Sequence, residues 1–224
     1  MTRLKRMATS WAMEKKMKKF IMKPRGPHKR DESMPLLVIV RDVLKFGETA
    51  KEAKTIINGG KVNVDGKRVR NVRHGVGLFD AITVAEKNYR VVPGKKMTLI
   101  EIDGKESDRK ICKITGKRMV SGMRTQLNLH DGRNIIIKSG DYSVGDSLLL
   151  KLPEQEIMES VKFEPNVTVM IISGKHGGKL AKLKKIEKGM MKRVWVEIAG
   201  EKTEAPIRLV IAVGKEEPLI KLVE

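Results

Sequence analysis

The chain has one cysteine, Cys112, in 224 residues. A lone thiol excludes an internal disulfide framework and a multi-cysteine metal site. Aromatic residues are scarce at 4%, which argues against the stacked platforms on which many single-strand binders rest their bases. No apolar stretch approaches the roughly 20 residues that cross a bilayer as a helix; the string Leu-Leu-Val-Ile-Val at 36–40 is far too short. Acids are outnumbered, with 27 Asp and Glu facing 47 Lys and Arg, for a formal charge of +20 and a pI near 10.0. That balance suits an anionic partner, nucleic acid or a membrane surface, and carries no information about fold. The length accommodates more than one compact unit.

What is present is organised around residues 46–72. Thr49 is placed to cap a helix, and Glu52 three residues on can close a capping box. Ala50, Ala53, Ile56 and Ile57 then fall on one side at helical spacing, with Lys51, Lys54 and Asn58 on the other. Gly59 and Gly60 end the helix. Residues 61–70 alternate apolar and polar about Asp65-Gly66, a strong two-residue hairpin signal. That turn sets Val64 opposite Lys67, Asn63 opposite Arg68, Val62 opposite Val69 and Lys61 opposite Arg70. Val62, Val64 and Val69 therefore share one face, and Lys61, Asn63, Arg68 and Arg70 the other. The valines need the helix's apolar side to leave water. Cations held together, with Lys67 and Arg73 close by in sequence, call for an anion.

A capped helix, glycines, Val-x-Val and Asp-Gly in this order closely resemble the S-four RNA-binding module of ribosomal proteins, pseudouridine synthases and tyrosyl-tRNA synthetases. The resemblance implies a small α/β RNA-binding module over 34–86. Ala50 and Lys54 stand where many such modules carry Arg.

Residues 1–33 form a basic lead, eleven Lys and Arg against three acids. Pro24, Gly26 and Pro27 break regular structure in its second half. The stripe Met13, Met17, Phe20 and Ile21 is too short and interrupted for a membrane-surface helix, and Lys outweighs the Ser and Arg of a transit peptide. The expectation is an arm that orders on binding RNA, with Arg3, Lys5, Arg6, Arg25, His28, Lys29 and Arg30 as contacts. Ser33 is placed to cap a further helix that accepts Pro35 in its first turn, buries Leu36, Ile39, Val40, Val43 and Leu44, and stops at Gly47.

From 87 to 160 the pattern switches to short strands and turns, a central all-β domain. Glu101, Asp103, Asp131, Asp141 and Asp146 could suggest paired carboxylates, but most sit beside Gly or at turns, where their own backbone bonding accounts for them. His130 reads as a strand-end residue. No catalytic residue, metal ligand, cofactor or small-molecule substrate is assigned.

The last unit, 161–224, has a strand at 167–172, a glycine-rich basic loop at 173–179 and a returning strand. It lacks the Gly-x-x-x-x-Gly-Lys-Ser/Thr spacing, and no helix N-terminus follows to face a phosphate. Strand, Gly-Lys loop and strand resemble the KOW motif of ribosomal and transcription-elongation proteins. Gly174 and Gly178 match; Ala181 replaces a later Gly. The resemblance implies a C-terminal SH3-like β-barrel with glycines that let RNA approach and Lys175, His176, Lys179 and Lys182 at phosphates. Trp11 and Trp195 are expected as packing anchors.

The segments RGPHKRDESMPLL at 25–37, GVGLFD at 75–80, KITGK at 113–117 and LNLHDGRN at 127–134 closely resemble the S-four-e family of small-subunit ribosomal proteins of archaea and eukaryotes, the lysine-rich form being similar to archaeal members. That resemblance spans essentially the whole chain. It implies an α+β multidomain, non-enzymatic ribosomal subunit in the cytoplasm, bound to small-subunit ribosomal RNA and neighbouring ribosomal proteins, with no membrane partner. Two other readings are an RNA-modifying enzyme, which needs a catalytic aspartate within 87–160, and a KOW-containing factor acting off the ribosome.

Overall fold

The structure, a computed structural model, describes residues 2–3, 11, 20–138, 140–187 and 193–222. It divides into two compact units, one from the chain up to Val92 together with Lys96–Asp108, the other from Pro93–Lys95 together with Arg109 onward. Among the described residues the strands form three five-stranded antiparallel sheets and two two-stranded pairs.

In the first unit the helix Ala50–Asn58 forms where capping chemistry allows it. The Thr49 hydroxyl accepts from the Glu52 N–H at 3.2 Å, and the Glu52 carboxylate accepts from the Thr49 hydroxyl and the Glu48 N–H. These bonds hold the Glu52 carboxyl below the usual carboxylate range, the Thr49 bond most. Ala53 and Ile57 are buried in the core with Val62, Val64, Ile82 and Val84. Burying each of the larger side chains contributes on the order of 1.5–3 kcal/mol. Ala50 is exposed, not on the apolar face as its spacing suggests, because it lies in the first turn, outside that core. At the other end Gly60 takes φ +73°, and the Lys61 and Gly60 N–H groups donate to Ile56 O and Ile57 O, a Schellman stop.

The hairpin adopts the expected register, with Asn63 opposite Arg68 and Val64 opposite Lys67. Asp65 and Gly66 have φ of +51° and +74°, the pair of left-handed residues that a type I′ turn requires. Asp65 does more than turn the chain: its buried carboxylate accepts from the Ala81 N–H at 2.9 Å and pins the hairpin tip to the next strand. The sheet runs Lys67–Arg68, Val62–Val64, Ala81–Val84, Lys87–Val92, Thr98–Ile102. Its last two strands lie beyond residue 86, where antiparallel pairing carries the sheet on through 102.

Ser33 does not cap a helix. Its hydroxyl donates to Lys29 O at 2.9 Å, closing the short turn Arg30–Glu32, while Met34–Pro35 pair with Gly75–Val76 as strands. The helix starts at Leu36 and widens into a π-helical turn over Ile39–Val43, short of Gly47, with Leu36 to Val40 all buried. Part of the basic lead belongs to this unit's core, since Trp11 and Ile21 are buried in it. Met13 and Met17 lie outside the described residues.

The second unit holds two sheets. One runs Asn134–Ile137, Arg124–Leu129, Arg109–Val120, Ser147–Lys151, Glu156–Val161 around Cys112, Ile114, Leu127, Leu129, Leu148 and Leu150. The other runs Glu201–Pro206, Arg193–Ile198, Leu180–Glu187, Thr168–Ile171, Val210–Gly214. Lys113 ties them together, its ammonium donating to Ile207 O and Val210 O at 2.7 and 2.6 Å. Burial lowers its pKa to about 8.

Candidate nucleic-acid interface

The helix and hairpin place the basic residues by simple alternation. Lys51 and Lys54 are exposed on the helix, and Lys61, Lys67, Arg68, Arg70 and Arg73 are exposed on and beyond the ribbon, with Asn63 half-buried among them. None of these seven cations is in an ion pair with the described acids. The ladder closes with Val69 N–H on Val62 O. Lys61 and Arg70 lie beyond it, and Arg68 and Arg70 gather around Gly60. A Cβ at Gly60 would stand 2.9 Å from Arg68 Cδ and 3.5 Å from Arg70 Nε. Both guanidinium arms thus cross the helix C-terminus, whose partial negative charge eases their repulsion. The glycine is needed for that crossing as well as for its positive φ.

The other predicted contacts divide. Arg25, Lys29 and Arg30 are exposed, Lys29 facing Glu32 at 3.8 Å, and the Arg25 backbone exchanges bonds with Arg73 and Gly75. The His28 side chain, expected at RNA, is largely enclosed. Its Nε2 lies 2.9 Å from the Asp80 carboxylate, with side-chain exposures of 7% and 2%, and Asp80 also accepts from the Gly77 N–H. A Cβ at Gly77 would clash with the His28 imidazole, so this histidine is a packing element. Lys5 and Arg6 lie outside the described residues, and Arg3 is described only by its backbone pairing with Phe20.

After Ile171, Lys175 and Lys179 in the loop and Lys182 in the returning strand are exposed, and His176 is half-buried. The loop's glycines do not serve one purpose. Gly174, at φ +96°, has nothing within 4 Å, whereas a Cβ at Gly178 would stand 2.6 Å from Gly94 Cα and Pro93 O. The close approach that Gly178 allows is therefore to this unit's own backbone. Gly178→Ala is expected to cost about 1–3 kcal/mol through overpacking and strain, and Gly174→Ala only about 1 kcal/mol through strain. Urea melts of the two variants measure the difference.

Three of the acids that could have served catalysis have structural partners. Asp146 is buried and accepts from the Ser143 and Phe163 N–H groups; Asp141 is exposed and pairs with Lys162 at 2.7 Å. Asp131 makes its turn bond with the Arg133 N–H and, unforeseen from sequence, sits wholly buried 3.0 Å from Lys110 Nζ. Strand spacing across the two pairing partners, Lys110 in one strand and Asp131 after another, hides that contact from a linear reading. His130 Nδ1 accepts from the Lys113 N–H.

Residues 34–82 match the S4 domain, and residues 85–157 match the ribosomal family S4e. The class so defined is a β-rich chain built on an S4 domain. Small ribosomal subunit protein eS4 of Methanocaldococcus jannaschii is 41% identical, aligned over 98% of this chain and 96% of its own. The eS4 of Ignicoccus hospitalis is 38% identical over 99% and 94%. The crystal structure of 30S ribosomal protein S4e from Thermoplasma acidophilum superposes with a TM-score of 0.74 at 31% identity, over 86% of this chain and all of that one. The chain belongs to the ribosomal S4e family.

Proposed function

We propose that this protein is a structural, non-catalytic constituent of the small ribosomal subunit in the cytoplasm, holding ribosomal RNA through phosphate and shape contacts beside neighbouring ribosomal proteins. The observation that carries the reading is the group Lys51, Lys54, Lys61, Lys67, Arg68, Arg70 and Arg73, exposed on an S4 domain and without acidic partners among the described residues. Solvated cations on a rigid ribbon meet phosphates without first breaking internal ion pairs, and contact with phosphate and groove shape needs no aromatic platform. The family's near-full-length match to small-subunit proteins supports the assignment. In this reading the exposed Arg25, Lys29 and Arg30 extend the RNA surface as part of a basic N-terminal arm. The last sheet is an SH3-like barrel whose KOW motif presents Lys175 and Lys179 from its loop and Lys182 from the returning strand.

Sucrose-gradient sedimentation of cell extract tests it. The protein is expected to remain with salt-washed small subunits in stoichiometric amount. Its departure at the wash would instead mark a factor acting off the ribosome.

A further inference from the structure

The outer face of the C-terminal sheet holds the chain's second tryptophan in a setting unlike the first. Trp11 is fully enclosed in the core. Trp195 was expected as a packing anchor too, yet it is half-exposed, because alternation along Arg193–Ile198 commits Val194, Val196 and Ile198 to the core and turns Trp195 outward. Lys185 lies directly opposite it on one neighbouring strand and Glu204 on the other. Its indole N–H donates to Glu187 Oε1 at 2.9 Å, which fixes the ring's rotation. Trp195, Lys184, Lys185, Glu187 and Lys202 line an open cleft of about 320 Å³, a volume in the range of small-ligand sites.

Charge on this face is not balanced. Its three acids are all engaged: Glu187 by the indole, Glu197 by Lys184 at 2.8 Å, and Glu204 by Arg193 at 2.9 Å. Lys184, and more weakly Lys202 and Lys182, hold the Glu197 carboxyl below the usual range. Lys182, Lys185 and Lys202 remain without ion pairs among the described residues. An aromatic plane held at one rotation and ringed by unspent ammonium groups is the chemistry that receives a base and its flanking phosphates.

We propose that Trp195 is a stacking site for one unpaired nucleotide of an RNA strand, with Lys185 and Lys202 meeting the adjoining phosphates. The proposal rests on the reading of the chain as an RNA-binding protein and adds a second, single-strand contact to the hairpin. A scarcity of aromatics excludes a platform of several stacked bases; it does not exclude one.

The test uses the full chain and a short fluorescein-labelled single-stranded oligoadenylate, read by anisotropy at fixed salt. Trp195→Leu is expected to weaken binding at least about fivefold, the lower end of a single base stack, whereas Trp195→Phe keeps most of the affinity. Lys185→Ala with Lys202→Ala is expected to reduce the salt slope by about 1.4, about 0.7 per phosphate contact on a single strand, and Trp195→Leu to leave that slope alone. Free adenosine monophosphate, lacking the neighbouring phosphates, is expected to compete far more weakly than the strand. Equal affinity of parent and Trp195→Leu overturns the site, as does an equal loss on a blunt RNA duplex, where no base is free to stack. A Lys61→Ala, Arg68→Ala, Arg70→Ala variant is run in parallel on ribosomal RNA. If it loses binding while Trp195→Leu does not, only the stacking site fails; if neither loses binding, the RNA-binding reading fails as well.

Discussion

Asp131→Ala is expected to destabilise the second unit by about 3–5 kcal/mol, the typical cost of removing one partner from a buried ion pair. The Asp131 carboxylate is fully enclosed, 3.0 Å from the equally enclosed Lys110 ammonium and 3.2 Å from Arg133 Nε, and it accepts the Arg133 N–H at 3.0 Å. Its removal takes the carboxylate from a buried ammonium that cannot reach water without opening the sheet. Burial by itself would raise the Asp131 pKa; the charges of Lys110, His130 and Arg133 and the Arg133 backbone bond outweigh it and bring the value to about 2, against 3.8 for an open chain. A carboxyl with a depressed folded-state pKa stabilises the fold fully above its unfolded value and loses that contribution as pH falls toward the folded one. Roughly 2 kcal/mol of stability should therefore disappear between about pH 4 and pH 2. Urea denaturation followed by tryptophan fluorescence across that window measures it, and in Asp131→Ala this part of the pH dependence should be gone. Replacing both partners, Lys110→Met with Asp131→Leu, should recover much of the loss, since apolar groups of similar volume pay no desolvation.

The second large effect is functional. Changing Lys61, Arg68 and Arg70 together to Ala is expected to weaken ribosomal-RNA binding about tenfold or more at about 0.1 M salt, while leaving the fold nearly intact. All three are exposed and hold no ion pair among the described residues, so their loss costs the fold only the few tenths of a kcal/mol that each cation contributes near a helix C-terminus. The packing of the Arg68 stem over Gly60 adds a little to that figure. A melting curve close to the parent's, together with weak binding, separates recognition from stability.

The hairpin was legible from sequence because its information is local. The Asp65-Gly66 turn fixes the register, the register fixes the faces, and period-two alternation then exposes Arg68 while burying Val62 and Val64. The helix ends were legible for the same reason, through Thr49, Glu52 and Gly60. What stayed hidden is non-local. His28 looked like one more residue of a basic arm, and only the chain's return at Gly77 and Asp80 encloses it. Ser33 has the composition of a helix cap, yet the turn before it claims its hydroxyl. Gly178 fits a backbone opened for a ligand, but Pro93 and Gly94, far away in sequence, fill the space. The Lys110–Asp131 pair needs two strand registers at once. Trp195 could have been placed outward by alternation with Val194 and Val196, and Lys185 beside it only once strand pairing was known.

The claim on which the account stands is that exposed cations on the S4 hairpin grip RNA phosphates. It is tested most directly by the salt dependence of small-subunit ribosomal-RNA binding for the parent and for the Lys61, Arg68, Arg70 triple alanine variant. The slope of log affinity against log salt should be shallower by about 3 in the variant, one unit for each phosphate contact removed. Parallel lines of equal affinity would contradict the claim.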